Sequence, residues 1–364
     1  MSQSKRLLVI PSWYPPDGGY FFKEHSEALK KAGLEVDVLV NRLVGVRKLR
    51  RLTQGGWSRY KVQDESGLRV IRSVCLKIPG NENLNIKRWS RQTLNLFYRY
   101  IREFGKPDII LAHSATWAGY AAALINKKHG VPYIVTEHRS FFVWTTQASR
   151  DMIKPFYIPY FSEAYSRCNK LILVSSSMKT GILEFFPELR DKISVIPNMV
   201  NTGYFNLPAN KRKTDPFVFI FAGRLAHVKG LDILIKAFSE LISSAGDKLV
   251  LKILGKGEDR NKLEELIQYF GLNDTVQLLG RVSREQVLTE LQQANCFVLP
   301  SRYEAFGVVL IEAMATGMPV IATRSGGPEG IVKEHVGYLV QPDQTTELKE
   351  AMAKMIGSYD QFNP

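Results

Sequence analysis

Glu304 and Glu312, with seven residues between them, lie in the stretch 296–330, CFVLPSRYEAFGVVLIEAMATGMPVIATRSGGPEG. Apolar runs of strand length, Cys296–Pro300 and Pro319–Thr323, flank a segment from about Phe306 to Ala315 that is long enough for a helix. Gly317 and Pro319 close that helix in the expected order, a permissive residue and then a breaker. One carboxylate just before a helix, and a second about two turns inside it, give two acceptors beside backbone N–H groups that favour an anion. The pair suits a ligand that carries both hydroxyls and phosphates. By themselves two such glutamates are ordinary solvated residues. Their company changes that reading: Gly223-Arg224-Leu225 ends the strand Phe217–Ala222, and Lys229-Gly230 opens the next helix, so two cations sit on another strand-to-helix loop. In an open parallel sheet such loops share one edge, where ligands bind.

With these residues stated, Glu-x7-Glu after a strand, G-R-L-x4-K-G upstream and the G-G-P-E loop Gly326–Glu329 downstream resemble the nucleotide-sugar site of family 4 (group 1) retaining glycosyltransferases of GT-B fold. The resemblance runs over almost the whole chain. It implies an α/β protein of two Rossmann-like doubly wound domains facing across a cleft: an acceptor-binding domain over 1–205, a linker over 206–215 and a nucleotide-sugar domain over 216–364. It also implies that Gly223, Gly255, Arg281, Phe306, Gly307 and Val308 join Arg224, Lys229, Glu304 and Glu312 in holding the donor.

Composition bounds the alternatives. The 364 residues exceed one ordinary core and suffice for two domains. A hydrophobic content of 45% with 11% aromatics describes a folded globular chain. No apolar run approaches about 18 residues, and the four apolar residues Leu7–Ile10 before Pro11 form a first strand, too short for a signal peptide, so a cytosolic protein is expected. Cys75, Cys168 and Cys296 are far apart, which predicts packed, reduced thiols. The net charge of +14 is uneven, with 31 Lys and Arg against 16 Asp and Glu in residues 1–205, and 18 against 19 in 206–364.

The N-terminal half alternates strands (Arg6–Ile10, Val36–Val40, Leu68–Ile78, Asp108–His113, Tyr133–Glu137, Lys170–Val174, Ile193–Ile196) with helices that include Phe22–Ala32 and Ile86–Phe104. The loop Pro11–Gly19 after the first strand lets Gly18 and Gly19 bring backbone N–H groups to a phosphate, the resemblance implies a glycine-bearing loop here near the diphosphate and acceptor, and Trp13 and Tyr14 offer flat surfaces suited to sugar rings. His138 follows the strand Tyr133–Glu137 at its carboxyl end, where function gathers. In the family a histidine of a T-x-H element contacts the donor sugar near the reacting carbon, so the resemblance gives that role to His138, with His113 as its neighbour. The segment Val195–Phe205 resembles the stretch that ends the first domain in relatives, with Met199 and Asn201 in place of the usual Gly and Asp. Asn206–Asp215, with two prolines and Lys211-Arg212-Lys213, reads as the linker.

The second half repeats the rhythm: Phe217–Ala222, helix Leu231–Ser243, Leu249–Leu254, helix Asp259–Phe270, Val276–Leu279 and helix Arg284–Gln293, which a Ser283/Gln286 capping box opens. Gly255-Lys256-Gly257-Glu258 is a strand-to-helix turn where relatives pass the nucleotide base. The chain stops soon after the helix Glu347–Ile356, so the C-terminal helix that crosses back in relatives is expected to be short or missing.

Sugar transfer from a nucleotide diphosphate needs help with the charge growing on the leaving phosphate, which fixed cations and helix N-termini supply. Arg224 and Lys229, with N–H groups at Phe306–Val308, are therefore expected on the diphosphate, Glu312 on the ribose hydroxyls and Glu304 on the sugar, since carboxylates accept and hydroxyls donate. The catalytic set is thus His138, Glu304, Arg224 and Lys229. No Asp-x-Asp pair is present, so no metal and no cofactor beyond a UDP- or GDP-linked substrate is expected. The resemblance implies retention, and because the sequence places no carboxylate for a covalent intermediate, same-face attack is expected. The runner-up is a nucleotide-sugar 2-epimerase-like isomerase of the same fold, and nucleic acid is excluded as a partner because no recognised module is present. The expected acceptor is a glycan or a lipid-linked glycan of bacterial surface polysaccharide synthesis. Two basic groups, 42–61 (Arg47, Lys48, Arg50, Arg51, Arg59, with Trp57) and the helix Ile86–Phe104, suit an anionic membrane surface on the inner face; the helix carries a stripe of Trp89, Phe97, Tyr100 and Phe104 that suits either that surface or the core.

Overall fold

A computed structural model describes residues 5–16, 18–45, 60–143, 151–208, 213–245 and 248–364. The chain divides into two compact units. The first comprises Met1–Phe142, Gln147–Val174 and Lys179–Pro197, and the second Val143–Thr146, Ser175–Met178 and Asn198–Pro364.

The strands of the first unit are β1 (Arg6–Pro11), β2 (Glu35–Val44), β3 (Tyr60–Glu65), β4 (Leu68–Leu76), β5 (Ile109–His113), β6 (Tyr133–Glu137), β7 (Lys170–Leu173) and β8 (Ile193–Val195). Between them run α1 (Tyr20–Lys31), α2 (Glu82–Phe104), α3 (Tyr120–His129), α4 (Ile158–Ser166) and α5 (Met178–Phe185). The sheet order is β3-β4-β2-β1-β5-β6-β7-β8, parallel apart from β3, which pairs antiparallel with β4. β1 is a nearly continuous apolar run, and β2 is buried from Val36 to Asn41 although Asp37 and Asn41 interrupt its apolar residues, as strands covered on both faces require. The order reverses between β1 and β5, which opens a switch point at their carboxyl ends.

The second unit holds β9 (Phe217–Ala222), β10 (Leu249–Leu254), β11 (Val276–Gly280), β12 (Cys296–Leu299), β13 (Val320–Thr323) and β14 (Gly337–Val340), all parallel in the order β11-β10-β9-β12-β13-β14. Its helices are α6 (Leu231–Ala245), α7 (Arg260–Tyr269), α8 (Arg284–Gln293), α9 (Val308–Ala315), α10 (Pro328–Ile331) and α11 (Thr345–Ser358). Ser283 and Gln286 form the expected capping box on α8. Phe219, Phe221, Ile253, Phe297, Val298 and Ile321 fill the core between sheet and helices. Here the switch point lies between β9 and β12.

Three sequence expectations change, and one left open is decided. β3 and β14 were not expected; β3 follows from the two-residue turn Ser66-Gly67, whose positive φ values (57° and 80°) suit a tight hairpin. The helix before Ala315 begins at Val308, not Phe306, so Glu312 stands about one turn inside it. Tyr14, expected to offer a flat face, is buried under the Arg72 guanidinium, 5.2 Å from its ring. The aromatic stripe of α2 faces the core, with Trp89 1% exposed and Phe97 and Tyr100 0%. Hydrogen bonds explain why: the Trp89 indole N–H donates to Asn41 O on β2, and Tyr100 donates to the buried Asp37 carboxylate at 2.8 Å. Residues 46–59 lie outside the described residues, so Arg47, Lys48, Arg50, Arg51, Trp57 and Arg59 are not located. All three cysteines are buried and in no disulfide.

Candidate functional site

In the second unit the loops beyond the strands are laced together by main chain. Gly223 N–H donates to Leu254 O at 2.9 Å, Leu225 N–H to Lys256 O at 3.1 Å and Gly255 N–H to Gly280 O at 2.7 Å, which joins the loops after β9, β10 and β11. A Cβ at Gly255 (φ +141°) would lie 1.7 Å from Gly223 O, so no side chain fits. Across the switch point, Arg302 N–H donates to Val228 O at 2.8 Å, and its guanidinium reaches Asp232 in α6 (2.8 and 3.0 Å) and Asp343 (2.8 Å). Glu304 N–H donates to Ser325 O at 2.9 Å and Gly327 N–H to Glu304 O at 2.7 Å, which ties the loop after β12 to the loop after β13.

These ties place the charged side chains. Lys229 Nζ stands 2.5 Å from Glu304 Oε2, with the two side chains 22% and 14% exposed. Arg224 pairs with Glu258 at 3.1 Å in the open, a geometry that contributes little to stability. Glu312 faces Arg284 at 3.9 Å, and that guanidinium lies 5.0 Å from each of the Tyr204 and Phe205 rings. Phe306 is buried and Gly307 (φ +95°) precedes the first helical residue, Val308. Arg281 follows Gly280 on the surface. Thus Gly223, Arg224, Lys229, Gly255, Arg281, Glu304, Phe306, Gly307 and Val308 all belong to loops or helix starts at the carboxyl edge of one sheet, with Glu312 one turn into α9 and Arg224, Lys229 and Glu304 flanking the switch point. Two supporting residues escaped the sequence reading: Arg302, whose partners are 70 and 41 positions away, and Arg284, which was read only as a helix start.

The first unit gathers its own set. The loop after β1 turns through Gly18 (φ +125°) and Gly19 (φ +73°) into α1, and a Cβ on Gly19 would lie 2.7 Å from Trp13 O. His113 ends β5 and His138 follows β6, with His113 Nδ1 3.0 Å from His138 Nε2. Phe22 of α1 stacks on His113 at 4.3 Å and meets His138 edge-on at 4.9 Å. Burial lowers the pKa of both rings, and their neighbouring histidines lower it further, so the pair is neutral near pH 7. His113 Nε2 and His138 Nδ1 are left without hydrogen-bond partners.

Residues 19–204 match Glycosyltransferase Family 4 and residues 205–361 match Glycosyl transferases group 1. The chain belongs to the group 1 glycosyltransferases. This glycosyltransferase is 30% identical to an uncharacterized glycosyltransferase of Methanocaldococcus jannaschii, over 97% of this chain and 89% of that one. It is 25% identical to the putative teichuronic acid biosynthesis glycosyltransferase TuaC of Bacillus subtilis, over 96% of this chain and 88% of the relative. Its fold matches HepE of Anabaena, solved in complex with UDP, with a TM-score of 0.71 at 19% identity, covering 98% and 91% of the two chains. The two parallel-sheet α/β units are those of the GT-B glycosyltransferases, as expected from the motifs.

Proposed function

We propose that this glycosyltransferase moves a hexose from a UDP- or GDP-linked donor to a glycan or lipid-linked acceptor of a bacterial surface polysaccharide, with retention and without a metal ion. The observation that carries the reading is the Lys229–Glu304 pair beside the β9/β12 switch point, a cation and a carboxylate on adjoining loops with Arg224 on the same loop as the lysine. The UDP held by HepE supports a nucleotide donor, and the teichuronic acid role given to TuaC supports a cell-surface acceptor.

In this proposal the diphosphate takes Lys229 and Arg224, and Glu304, released from Lys229, accepts hydroxyl hydrogens of the sugar. Glu312, oriented by Arg284, accepts those of the ribose. His138 contacts the sugar through Nδ1, and its neutral ring adds no charge there. The bond from the anomeric carbon to the phosphate oxygen breaks as the acceptor oxygen attacks from the same face. The acceptor's proton passes to the departing phosphate oxygen, and Arg224 and Lys229 stabilise the charge that grows there.

A screen of UDP- and GDP-linked hexoses for a raised melting temperature identifies the donor, since a ligand that binds only the native state stabilises it. Incubation of that donor with and without glycan acceptors then separates transfer from epimerisation. Release of a 2-epimer without acceptor would overturn the proposal, and so would a requirement for Mn²⁺ or Mg²⁺ after treatment with EDTA.

A further inference from the structure

Glu137 ends β6 and is 0% exposed. Its Oε1 accepts the backbone N–H of His138 and of Arg139, each at 3.0 Å. Its Oε2 accepts the N–H of Ala115 at 3.0 Å and the Tyr165 hydroxyl at 3.1 Å. All four partners are uncharged donors, and they come from three places: the loop after β6, the turn after β5, and α4. A carboxylate is costly to bury, and hydrogen bonds only offset that cost. At a strand end inside an α/β core an apolar side chain would pack without it. What the carboxylate adds is geometry.

That geometry converges on the two histidines. One oxygen fixes His138 through its own N–H. The other fixes the turn Ser114-Ala115, directly after His113, where Ser114 adopts φ +72°, a region that disfavours non-glycine residues. The same carboxylate thereby sets both backbones that bring His113 Nδ1 to 3.0 Å from His138 Nε2. With Nε2 engaged by His113 and the ring edge on Phe22, Nδ1 is the His138 nitrogen left for a ligand.

We propose that Glu137 is a positioning residue for sugar transfer, which acts by holding His138 and the His113 turn in register. The inference rests on the reading that His138 contacts the donor sugar. Glu137→Gln keeps the side-chain size but turns one oxygen, and its two acceptor roles, into an NH₂ facing two donors.

The test is a double-mutant cycle on turnover of the nucleotide hexose found in the screen, with the melting temperature and the Kd of the free nucleoside diphosphate measured alongside. Expected are a fall in kcat of about tenfold or more in E137Q, the scale of a small misplacement of a reacting group, and an unchanged nucleoside diphosphate Kd. The variant E137Q/H138A should be no slower than H138A alone, because residues that act through one another are not additive. Should E137Q not fold, E137D, which keeps both oxygens but draws them back by one methylene, is read in the same cycle. Wild-type turnover in E137Q, or losses that multiply with H138A, would overturn positioning and leave a packing role. Full activity in H138A would instead overturn the donor-contact reading on which the inference rests.

Discussion

Lys229 and Glu304 hold each other at 2.5 Å in a partly buried pair, so under the proposed function a donor has to separate them. A diphosphate offers Lys229 a better partner than one carboxylate, and the sugar hydroxyls offer Glu304 donors in return. Loss of either cation should therefore lower turnover strongly, and Arg224→Ala and Lys229→Ala are each expected to cost about a hundredfold, the scale of one lost charge-stabilising donor. Near-normal turnover in both would remove them from the site. The glutamates should part ways in calorimetry: Glu312→Ala weakens binding of the free nucleoside diphosphate, whereas Glu304→Ala, which frees Lys229, does not weaken it yet damages transfer. The reverse pattern would exchange their roles. The histidines give a separate prediction for stability against pH. His25, His113 and His138 all have pKa values lowered by burial. Between the unfolded value near 6.5 and the lower folded values, the unfolded chain binds more protons, so the stabilisation is complete above about pH 6.5 and is lost as pH falls. The melting temperature should drop from pH 7 to pH 5, before most carboxylates titrate, and less steeply in His113→Asn/His138→Asn. Equal slopes would show that the pair is not held neutral.

At the scale of elements, the loops at the carboxyl edge of the second unit rest on close backbone approach, and this makes their glycines unequal. A Cβ at Gly230 (φ +63°) would lie 2.0 Å from Pro300 O, forcing the β9 and β12 loops apart, whereas at Gly271 (φ +66°) it meets nothing within 4 Å. Gly271→Ala should cost only the left-handed backbone penalty, about 1–2 kcal/mol. Gly230→Ala should cost more and also weaken nucleoside diphosphate binding, as chemical denaturation and calorimetry would read; equal costs would deny the loop contact any role. The strands β1, β6, β9 and β10 were legible because long apolar runs end at recognisable turns, and Glu304, Lys229 and Arg224 because short-range spacing marks strand-to-helix loops. Arg302 was not legible, since Asp232 and Asp343 come together with it only in the folded sheet. Glu137 was hidden for the opposite reason: a glutamate inside T-E-H looks solvated until Tyr165 and Ala115 close over it. The α2 stripe was legible as amphipathic, but the sequence left open which solvent its apolar side would meet until Asn41 and Asp37 were seen to bind it.

At the scale of the molecule, the excess positive charge lies in the first half, and the burial of the α2 aromatics changes what that charge can do. A membrane reading that needed Trp89 and Phe97 at the bilayer edge fails. α2 exposes Lys87, Arg88, Arg91 and Arg102, with Leu84 and Tyr98 among them, beside Glu82 and an Arg99–Glu103 pair at 2.6 Å. We propose that this face adsorbs to anionic lipid, which would hold the enzyme near a lipid-linked acceptor. With little apolar insertion, attraction rests on charge, at about 1 kcal/mol for each near-surface cation, and decays over a Debye length of about 8 Å at physiological salt. Sedimentation should therefore show binding to vesicles rich in anionic lipid and none to neutral ones, and the bound fraction should fall steeply as salt rises through physiological strength. Arg88→Glu/Arg91→Glu should weaken that binding by tenfold or more, on the order of 1 kcal/mol for each reversed charge, while the Kd for the nucleoside diphosphate, which the proposed site assigns to the other unit, stays unchanged. Equal binding to neutral vesicles would mean apolar insertion from elsewhere, and no binding to either would leave the basic face as a solvated surface.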